Sequence, residues 1–285
     1  MIEFTCATKI DSLAVNLPAR DVAPGLYEKL EEFYLPDFTK LEKEIARLIR
    51  QCPKLRSLTV ACLDSLQDGQ LRKLLDVVTL NQSIKKFSLK MCLKLDTFFV
   101  LNELFECPHL RDLELNFTPI KPNAQNERFF EKLARARFLK RFSISGQFDK
   151  DFINHTLKGM TRNKSVRVFT LDGQKSINAQ EFMDILQSLL IKNDALRELH
   201  IGGFLYNLED FTEFMDMIRE NKTLEVVEVS RQSFDETYVN KAIEMLNERA
   251  HPLNEFKLSG ITEEQKKRIE MKVAQNRAMR QRISC

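Results

Sequence analysis

The sequence lacks a long apolar run and a leader-like start, and both absences bear on where the chain works. No stretch of about 18 apolar residues is present to cross a bilayer as a helix. The first residues, MIEFTCATKIDSLAVN, have neither the basic start nor the apolar core of a secretory signal. We therefore expect a cytoplasmic protein.

Closely spaced cysteines and clustered histidines are also missing, which argues against a metal or redox site. Zinc-binding and redox motifs place two cysteines within a few residues of each other, and the sequence has no such pair. We expect reduced thiols, no metal ion and no cofactor. The cysteines are Cys6, Cys52, Cys62, Cys92, Cys107 and Cys285, and the histidines are His109, His155, His200 and His251.

A strong excess of charge of one sign is missing as well. The formal net charge is +3 and the isoelectric point is about 8.4, which is too weak a bias to predict nucleic-acid binding by itself. Residues 262 to 285 carry seven Lys or Arg against three Glu. The basic character of the chain is therefore confined to its C-terminal segment.

What the sequence does contain is a repeat of about 28 residues. The pattern apolar-x-x-apolar-x-apolar recurs eight times, at spacings between 26 and 30 residues. A ninth segment, LEEFYL from Leu30, fits one step earlier, and IDSLAV from Ile10 is a candidate for a degenerate capping unit. The eight segments are LRSLTV from Leu55, IKKFSL from Ile84, LRDLEL from Leu110, LKRFSI from Leu139, VRVFTL from Val166, LRELHI from Leu196, LEVVEV from Leu224 and LNEFKL from Leu253.

Each repeat predicts a short strand followed by a helix. The last two apolar positions of the pattern lie two residues apart, so both point to one face of a strand. A helical stripe with the spacing i, i+3, i+4, i+7 begins 15 or 16 residues after the first apolar residue of the unit. The stripes are Leu71, Leu74, Leu75 and Val78; Phe182, Ile185, Leu186 and Leu189; Phe211, Phe214, Met215 and Ile218; and Val239, Ala242, Ile243 and Leu246.

Asparagine marks the predicted ends of four of these helices, three residues before the next strand pattern. Asparagine tolerates the left-handed backbone conformation in which many helices end. We therefore predict left-handed helix exits at Asn81, Asn163, Asn193 and Asn221.

Four of the eight glycines share one offset, which explains a segment that has the order of a phosphate-binding loop. Gly146, Gly173, Gly203 and Gly260 each lie seven residues after the first apolar residue of their unit. A shared offset predicts a shared turn at the end of the strand, with a positive φ. The segment VFTLDGQKS at 168 to 176 also lacks the earlier glycine of the phosphate-loop motif, so we predict no nucleotide site there.

These units resemble leucine-rich repeats, and their length and helix content are similar to the ribonuclease-inhibitor-like subclass. The resemblance covers residues 30 to 261. It implies an α/β leucine-rich-repeat solenoid, or horseshoe, with a concave parallel sheet, convex helices and no enzymatic activity in most members. The helix exits are also similar to the repeat domain of tropomodulins, the actin pointed-end cappers.

One position departs from that family. The Asn or Cys that follows the strand in the family is matched only by Cys92. This weakens the hydrogen-bond ladder between neighbouring turns, because Leu, Phe and Ile cannot bond backbone groups, whereas Gln can substitute in three units. The position reads Leu63, Cys92, Thr118, Gln147, Gln174, Phe204, Gln232 and Ile261.

We predict three regions along the chain. Residues 1–29 form an N-terminal cap or degenerate repeat, residues 30–261 form about nine repeats, and residues 262–285 form a basic helix that caps the solenoid. Thr262 and Gln265 make a capping box at the start of that helix, and Ile269 with Val273 supply its buried contacts.

The predicted partner surface is the concave face of the sheet. Residues that alternate with the apolar strand positions form rows from unit to unit, and stacked repeats present such rows as an extended surface. His200 adjoins two carboxylates in these rows but has no nucleophile at a defined spacing, so we assign no catalytic residue. The candidates are Lys86, Ser88, Lys90, Asp112, Glu114, Asn116, Arg141, Ser143, Thr170, Glu198, His200 and Glu228.

The sequence thus predicts a non-catalytic scaffold that binds a protein partner mainly through the concave face, with no small-molecule substrate. Two alternatives stay open at this point. One is an adaptor whose basic C-terminal helix binds RNA or an anionic membrane. The other is a tropomodulin-like cytoskeletal regulator.

Overall fold

The chain folds as an α/β structure built on one open parallel sheet. A computed structural model describes residues 9–10, 31–35, 49–50, 52–62, 68–91, 102–120, 124–148, 150–174, 179–204, 207–230 and 233–283. Within these residues, ten strands form a single sheet in which the order in space is the order in the chain. All neighbouring strands are parallel.

The strands are β1 Lys9–Ile10, β2 Glu32–Leu35, β3 Ser57–Cys62, β4 Lys86–Met91, β5 Asp112–Ile120, β6 Arg141–Phe148, β7 Val168–Gln174, β8 Glu198–Gly202, β9 Val226–Ser230 and β10 Glu255–Leu258. The described helices are α1 Asp68–Leu80, α2 Ala124–Arg135, α3 Lys150–Arg162, α4 Ala179–Lys192, α5 Leu208–Glu220, α6 Glu236–Glu248 and α7 Glu263–Ile283, with a 3₁₀-helix at Asn102–Glu106.

The core lies between one face of the sheet and the layer of helices. Alternate strand residues such as Leu58 and Val60 are fully buried and join the helical stripes in one hydrophobic cluster. Consecutive helices also contact each other. The predicted stripes are confirmed, with Ile185 and Ile243 as the partly buried members.

Phenylalanine links one unit to the next within this core. The rings of Phe142 and Phe169, which are register partners on β6 and β7, stack with centroids 6.0 Å apart. Phe130 on α2 and Phe152 on α3 meet edge to face at 5.2 Å. Burial of each such side chain contributes about 1.5–3 kcal/mol, so the stability of a unit depends on its neighbours.

The strand register that the repeat predicts is confirmed for the units from Leu30 onward. For the segment that begins at Ile10, the predicted register is wrong. Ile10 pairs with Phe33, the second apolar position of its unit. Ile10 therefore occupies the fourth position of the pattern and not the first, because parallel pairing with β2 fixes the register more strongly than the weak motif does. The other residues of the predicted 1–29 region lie outside the described residues.

The proline-containing stretch after Leu115 also differs from a regular repeat. β5 continues through Pro119 to Ile120, which pairs with Phe148, and the register shifts between Phe117 and Ile120. Proline has no N–H to give to a ladder, so it is accommodated in a strand where the pairing is irregular.

The asparagines at the helix exits bind the preceding unit. The buried Asn163 donates from its Nδ2 to the carbonyls of Leu133 at 2.7 Å and Ala136 at 3.1 Å, and its Oδ1 accepts from the backbone N–H groups of Ser165 and Val166. Asn81, Asn193 and Asn221 make equivalent bonds. The hydrogen-bond ladder therefore lies at the helix-to-strand corner.

The prediction of a left-handed helix exit is wrong at Asn221, where the backbone is extended, with φ at −70° and ψ at 131°. Its residue type is explained by its side chain, because an amide has both the donors and the acceptor that the corner needs.

Other side chains take this role where the asparagine is replaced. His109 Nε2 lies 3.0 Å from the carbonyl of Val78, one unit earlier. The buried Arg249 donates from Nη2 to the carbonyls of Asn221 at 2.8 Å and Leu224 at 2.9 Å. Burial lowers the pKa of Arg249 to about 10, so the guanidinium is still charged at neutral pH. The ladder is thus maintained by different chemistry at different corners.

The shared glycine offset marks a close contact between units. Gly146, Gly203 and Gly260 have φ values of +143°, +82° and +81°, as the pattern predicts. The predicted turn is wrong at Gly146 and Gly173, which lie within β6 and β7 and pair with each other, and the predicted positive φ is wrong at Gly173. Gly173 is needed for space, because a Cβ there would collide with the ring of Phe204. A Cβ on Gly203 would collide with the carbonyl oxygen of Gly173, so the backbones of these two units fit directly against each other.

We expect Asn193→Ala to lower the free energy of unfolding by about 2–4 kcal/mol, because it leaves buried carbonyl and N–H groups unpaired. Urea unfolding followed by circular dichroism measures the change. The matched control is Asn247→Ala at an exposed site on α6, where we expect a change within about 0.5 kcal/mol. Equal stability of the two variants would show that the ladder contributes little.

We expect Gly203→Ala to destabilise the protein by about 2 kcal/mol or more, because it combines a positive φ with a backbone collision. Gly69→Ala, on α1, has open space around the new Cβ and is expected to leave stability unchanged or slightly raised. Thermal unfolding of both variants tests the turn. A Gly203→Ala protein as stable as Gly69→Ala would contradict this account.

Candidate functional site

The face of the sheet opposite the helices carries the predicted partner-binding residues. We call it the open face. Its residues form rows fixed by the strand pairing, and these rows are the predicted ones. The central row is Tyr34, Thr59, Ser88, Glu114, Ser143, Thr170, His200, Glu228 and Lys257, and one flanking row is Glu32, Ser57, Lys86, Asp112, Arg141, Val168, Glu198, Val226 and Glu255.

The first polar cluster of the open face lies on β4, β5 and β6. Arg141 Nε lies 3.7 Å from Asp112 Oδ2, and Lys86 Nζ lies 3.9 Å from Glu114 Oε2. These partners sit on adjacent strands, where opposite charges attract across the ladder. Lys90 and Asn116 are exposed and extend the cluster. They form part of the other flanking row, two residues after Ser88 and Glu114 along their strands. The charges of this cluster are paired but remain accessible from the open face.

Ser88 lies at the centre of this cluster and is unusual among its residues. Only 1% of its surface is exposed, and its Oγ has no hydrogen-bond partner among the described residues. A buried hydroxyl without a partner costs about 1–3 kcal/mol. The cluster therefore contains a polar group that it does not itself satisfy.

Burial raises the pKa of Asp112, in spite of the opposing attraction of Lys86 and Arg141. Glu114 adds to the rise. The charged form of Asp112 is thus less favourable in the folded protein than in water, which is the state expected of a carboxylate that its surroundings only partly compensate.

The second polar cluster lies on β8, β9 and β10. His200 Nδ1 donates to Glu228 Oε2 at 3.0 Å, and its Nε2 lies 3.9 Å from Glu198 Oε2, too far for a hydrogen bond. On β10, Lys257 Nζ lies 2.7 Å from Glu255 Oε1. The hydrogen bond to Glu255 raises the pKa of Lys257, so this lysine is cationic at neutral pH.

The structure separates the predicted residues into these two clusters. Ser143 and Thr170 lie between them in the central row, with Val168 beside them. The prediction missed Glu255 and Lys257, although both lie in the same rows. The repeat pattern places both in these rows through their pairing with β9, whereas the predicted set ends at Glu228.

The described residues offer little for covalent chemistry. Burial raises the pKa of Cys52 to about 11 and also raises that of Cys107, so neither thiol is a good nucleophile at neutral pH. Among the described residues, no three His, Cys, Asp or Glu side chains gather as a metal site. The absence of catalysis stays a prediction.

We expect the stability to fall as the pH rises through the titration of Asp112. In the folded state the pKa of Asp112 is raised above its ordinary value of 3.8. As the pH rises, the unfolded chain therefore loses this proton at a lower pH than the folded protein does. Stability is lost from about pH 4 up through the raised pKa of Asp112. Asp112→Asn should remove this pH dependence. Urea unfolding at a series of pH values gives the comparison, with Asp76→Asn on the exposed side of α1 as the control. Parallel stability curves for wild type and Asp112→Asn would contradict the assignment.

The comparisons with known proteins place few constraints on this site. Neither a protein-family model nor a curated protein matches the chain. Among solved structures, the chain is similar to leiomodin-1 actin-binding site 2, with a TM-score of 0.39 and 16% sequence identity over 67% of this chain and 97% of that one. Likeness of this extent assigns neither a family nor a partner. In the described part of the chain, no helix has the length and apolar character to cross a membrane.

Proposed function

We propose that the chain is a non-catalytic leucine-rich-repeat solenoid of the ribonuclease-inhibitor-like type that binds a protein partner across the open face. In this proposal the open face is the concave side of the horseshoe, the helices form the convex side, and the protein works as a cytoplasmic scaffold. Units of 26 to 30 residues, each with a strand and a helical segment, support the assignment.

The observation that carries the proposal is a parallel sheet with one face that no helix or strand covers among the described residues. Parallel sheets are normally buried on both sides, with apolar residues facing both ways. Here the strands alternate buried apolar and partly exposed polar residues, as β9 does with Val227 and Val229 buried and Glu228 between them. Solenoids use such a face for recognition, because its side chains are not needed for the core.

The two polar clusters indicate what kind of contact the face favours. Ser88 Oγ and His200 Nε2 have no hydrogen-bond partner among the described residues, and Asp112 is only partly compensated. The two unsatisfied atoms are buried within the face, whereas charged side chains around them, such as Asp112 and Lys86, are partly exposed and can bond to polar groups of a partner. The face therefore favours a polar protein surface over an apolar ligand.

The basic C-terminal helix is better explained as a cap than as a nucleic-acid or membrane site. Ile269 and Val273 of α7 are buried, and Thr262 with Gln265 forms the predicted capping box. Arg268 donates to Glu236 and, at 2.9 Å, to Asn240 Oδ1 on the preceding helix. Part of the basic charge is thus already used within the protein.

We expect the double variant Lys90→Glu, Asn116→Arg to weaken partner binding by at least about tenfold, because it inverts the charge at Lys90 and places a large cation at Asn116 without touching the core. Affinity capture from a cell extract, followed by titration of the recovered protein, measures this. The matched control is Lys158→Glu, Gln187→Arg, which makes the same kind of change on exposed positions of α3 and α4.

Three results would count against the proposal. A partner lost by the helix-layer variant but kept by the open-face variant would move the site to the helices. A complex that weakens by about 10³–10⁵ between 50 and 200 mM salt would indicate phosphate contacts and favour the adaptor. A partner lost on Lys267→Glu, an exposed position of α7, would place binding on the C-terminal helix.

A further inference from the structure

The last strand of the sheet borders a groove that shares Glu228, Glu255 and Lys257 with the open face. β10 pairs with β9 on one side, and in the described part of the chain no strand lies on its other side. The groove along this edge has a volume of about 750 Å³ and is bounded by β10 and by one side of α7. The α7 wall includes Glu263, Lys266, Glu270 and Arg277.

The edge of β10 presents backbone hydrogen-bonding groups toward this groove. In a parallel strand, alternate residues direct both N–H and C=O to the same side. Glu255 and Ser259 bond to β9, with Glu255 N donating to Glu225 O at 3.1 Å and Ser259 N to Val229 O at 3.0 Å. Phe256 and Leu258 therefore direct their N–H and C=O groups to the free edge, where they can pair with another strand.

The side chains of β10 are complementary to a second β10 that runs antiparallel. When Phe256 stands opposite Phe256 of a second copy, the two outward-facing residues exchange both backbone bonds. The same register places Glu255 opposite Lys257 of the second copy, and Lys257 opposite its Glu255. Both side chains are about half exposed, at 47% and 51%, so they can meet across the pair and stabilise it.

The neighbouring registers lack this match. Centring the pair on Glu255 places two glutamates opposite each other, and centring it on Lys257 places two lysines opposite each other. Like charges directly opposite destabilise an antiparallel pair. Among these three registers, the charges therefore favour the one centred on Phe256.

The α7 wall of the groove has the same property. Along the helix its groove-lining charges read Glu263, Lys266, Glu270 and Arg277. An antiparallel pair of α7 helices centred at residue 268 brings Lys266 toward Glu270 of the second copy, and Glu270 toward its Lys266. The helix wall therefore also offers a reciprocal pair of opposite charges, of the kind that an isologous interface uses.

We propose that two copies of this chain pair through β10 to form a homodimer with a continuous twenty-stranded sheet, stabilised by the reciprocal Glu255–Lys257 contacts and the facing α7 helices. The second copy fills the groove along the edge. This interface uses Glu255 and Lys257 of the second polar cluster and leaves the first polar cluster, on β4, β5 and β6, free for the proposed partner.

Sedimentation velocity of the full chain over a range of concentrations tests the pairing. We expect a dimer for the wild type and a dissociation constant raised about tenfold or more by Glu255→Lys or Lys257→Glu, because each substitution opposes like charges twice. Mixing the two single variants should restore pairing as a heterodimer, and the exchange of both charges in one chain should restore a homodimer. Lys164→Glu, at an exposed pair far from β10, is the control and should dimerise like the wild type.

The charge exchange keeps the test independent of folding, because one variant is rescued by another without any change in its own fold. A monomeric wild type at all concentrations would overturn the proposal, and would also be the result if the edge serves a different protein. A dimer that is indifferent to both single substitutions, or single variants that fail to pair with each other, would overturn it as well.

Discussion

Burial between neighbouring units is the constraint on which the structure depends. A unit of one strand and one helix is too small to cover its own apolar side chains, so each unit is completed by the next. Phe142 stacks on Phe169 across the strands, and Phe130 meets Phe152 across the helices. Stability is therefore a sum of contacts between adjacent units, and a change within one unit acts first on its two neighbours.

The apolar strand residues that form the core all lie on one side of the sheet. The residues on the other side are therefore not needed for the core. The polar rows of the open face can hold charges such as Asp112 and Glu228 that a sheet covered on both sides could not hold without a large desolvation cost. In the proposed function, stability and partner recognition thus use alternate residues of the same strands. A change on the open face reaches the core only through the backbone.

The strand register and the helical stripes were predictable from the sequence because both follow from short-range periodicity. Leu58 and Val60, or Phe211 and Phe214, show their burial in their spacing alone. The role of Asn163 was not predictable in the same way, because its side chain bonds to carbonyls about 30 residues away. Local propensity predicts that asparagine ends a helix because it tolerates a left-handed backbone. In the structure, asparagine is required because its side-chain amide bonds to the preceding unit.

The open face shows the same division. The rows followed from the repeat, so Lys86, Asp112 and Arg141 were placed correctly in one of them. The unsatisfied hydroxyl of Ser88 and the groove beside β10 were not predictable, because both depend on how side chains of several units pack together. Pro119 is another such case, since its accommodation in β5 depends on a register shift against β6.

The corner hydrogen bonds have a direction, and this direction matters when the chain is made. Asn81, Asn193 and Asn221 each bond backward to carbonyls of the unit before them. A unit emerging from the ribosome therefore has open carbonyls at its helix exit until the following corner has been synthesised. Translation also proceeds from the N-terminus. The most recently folded unit of the growing protein therefore has unpaired carbonyls, and these are paired when the next corner is made.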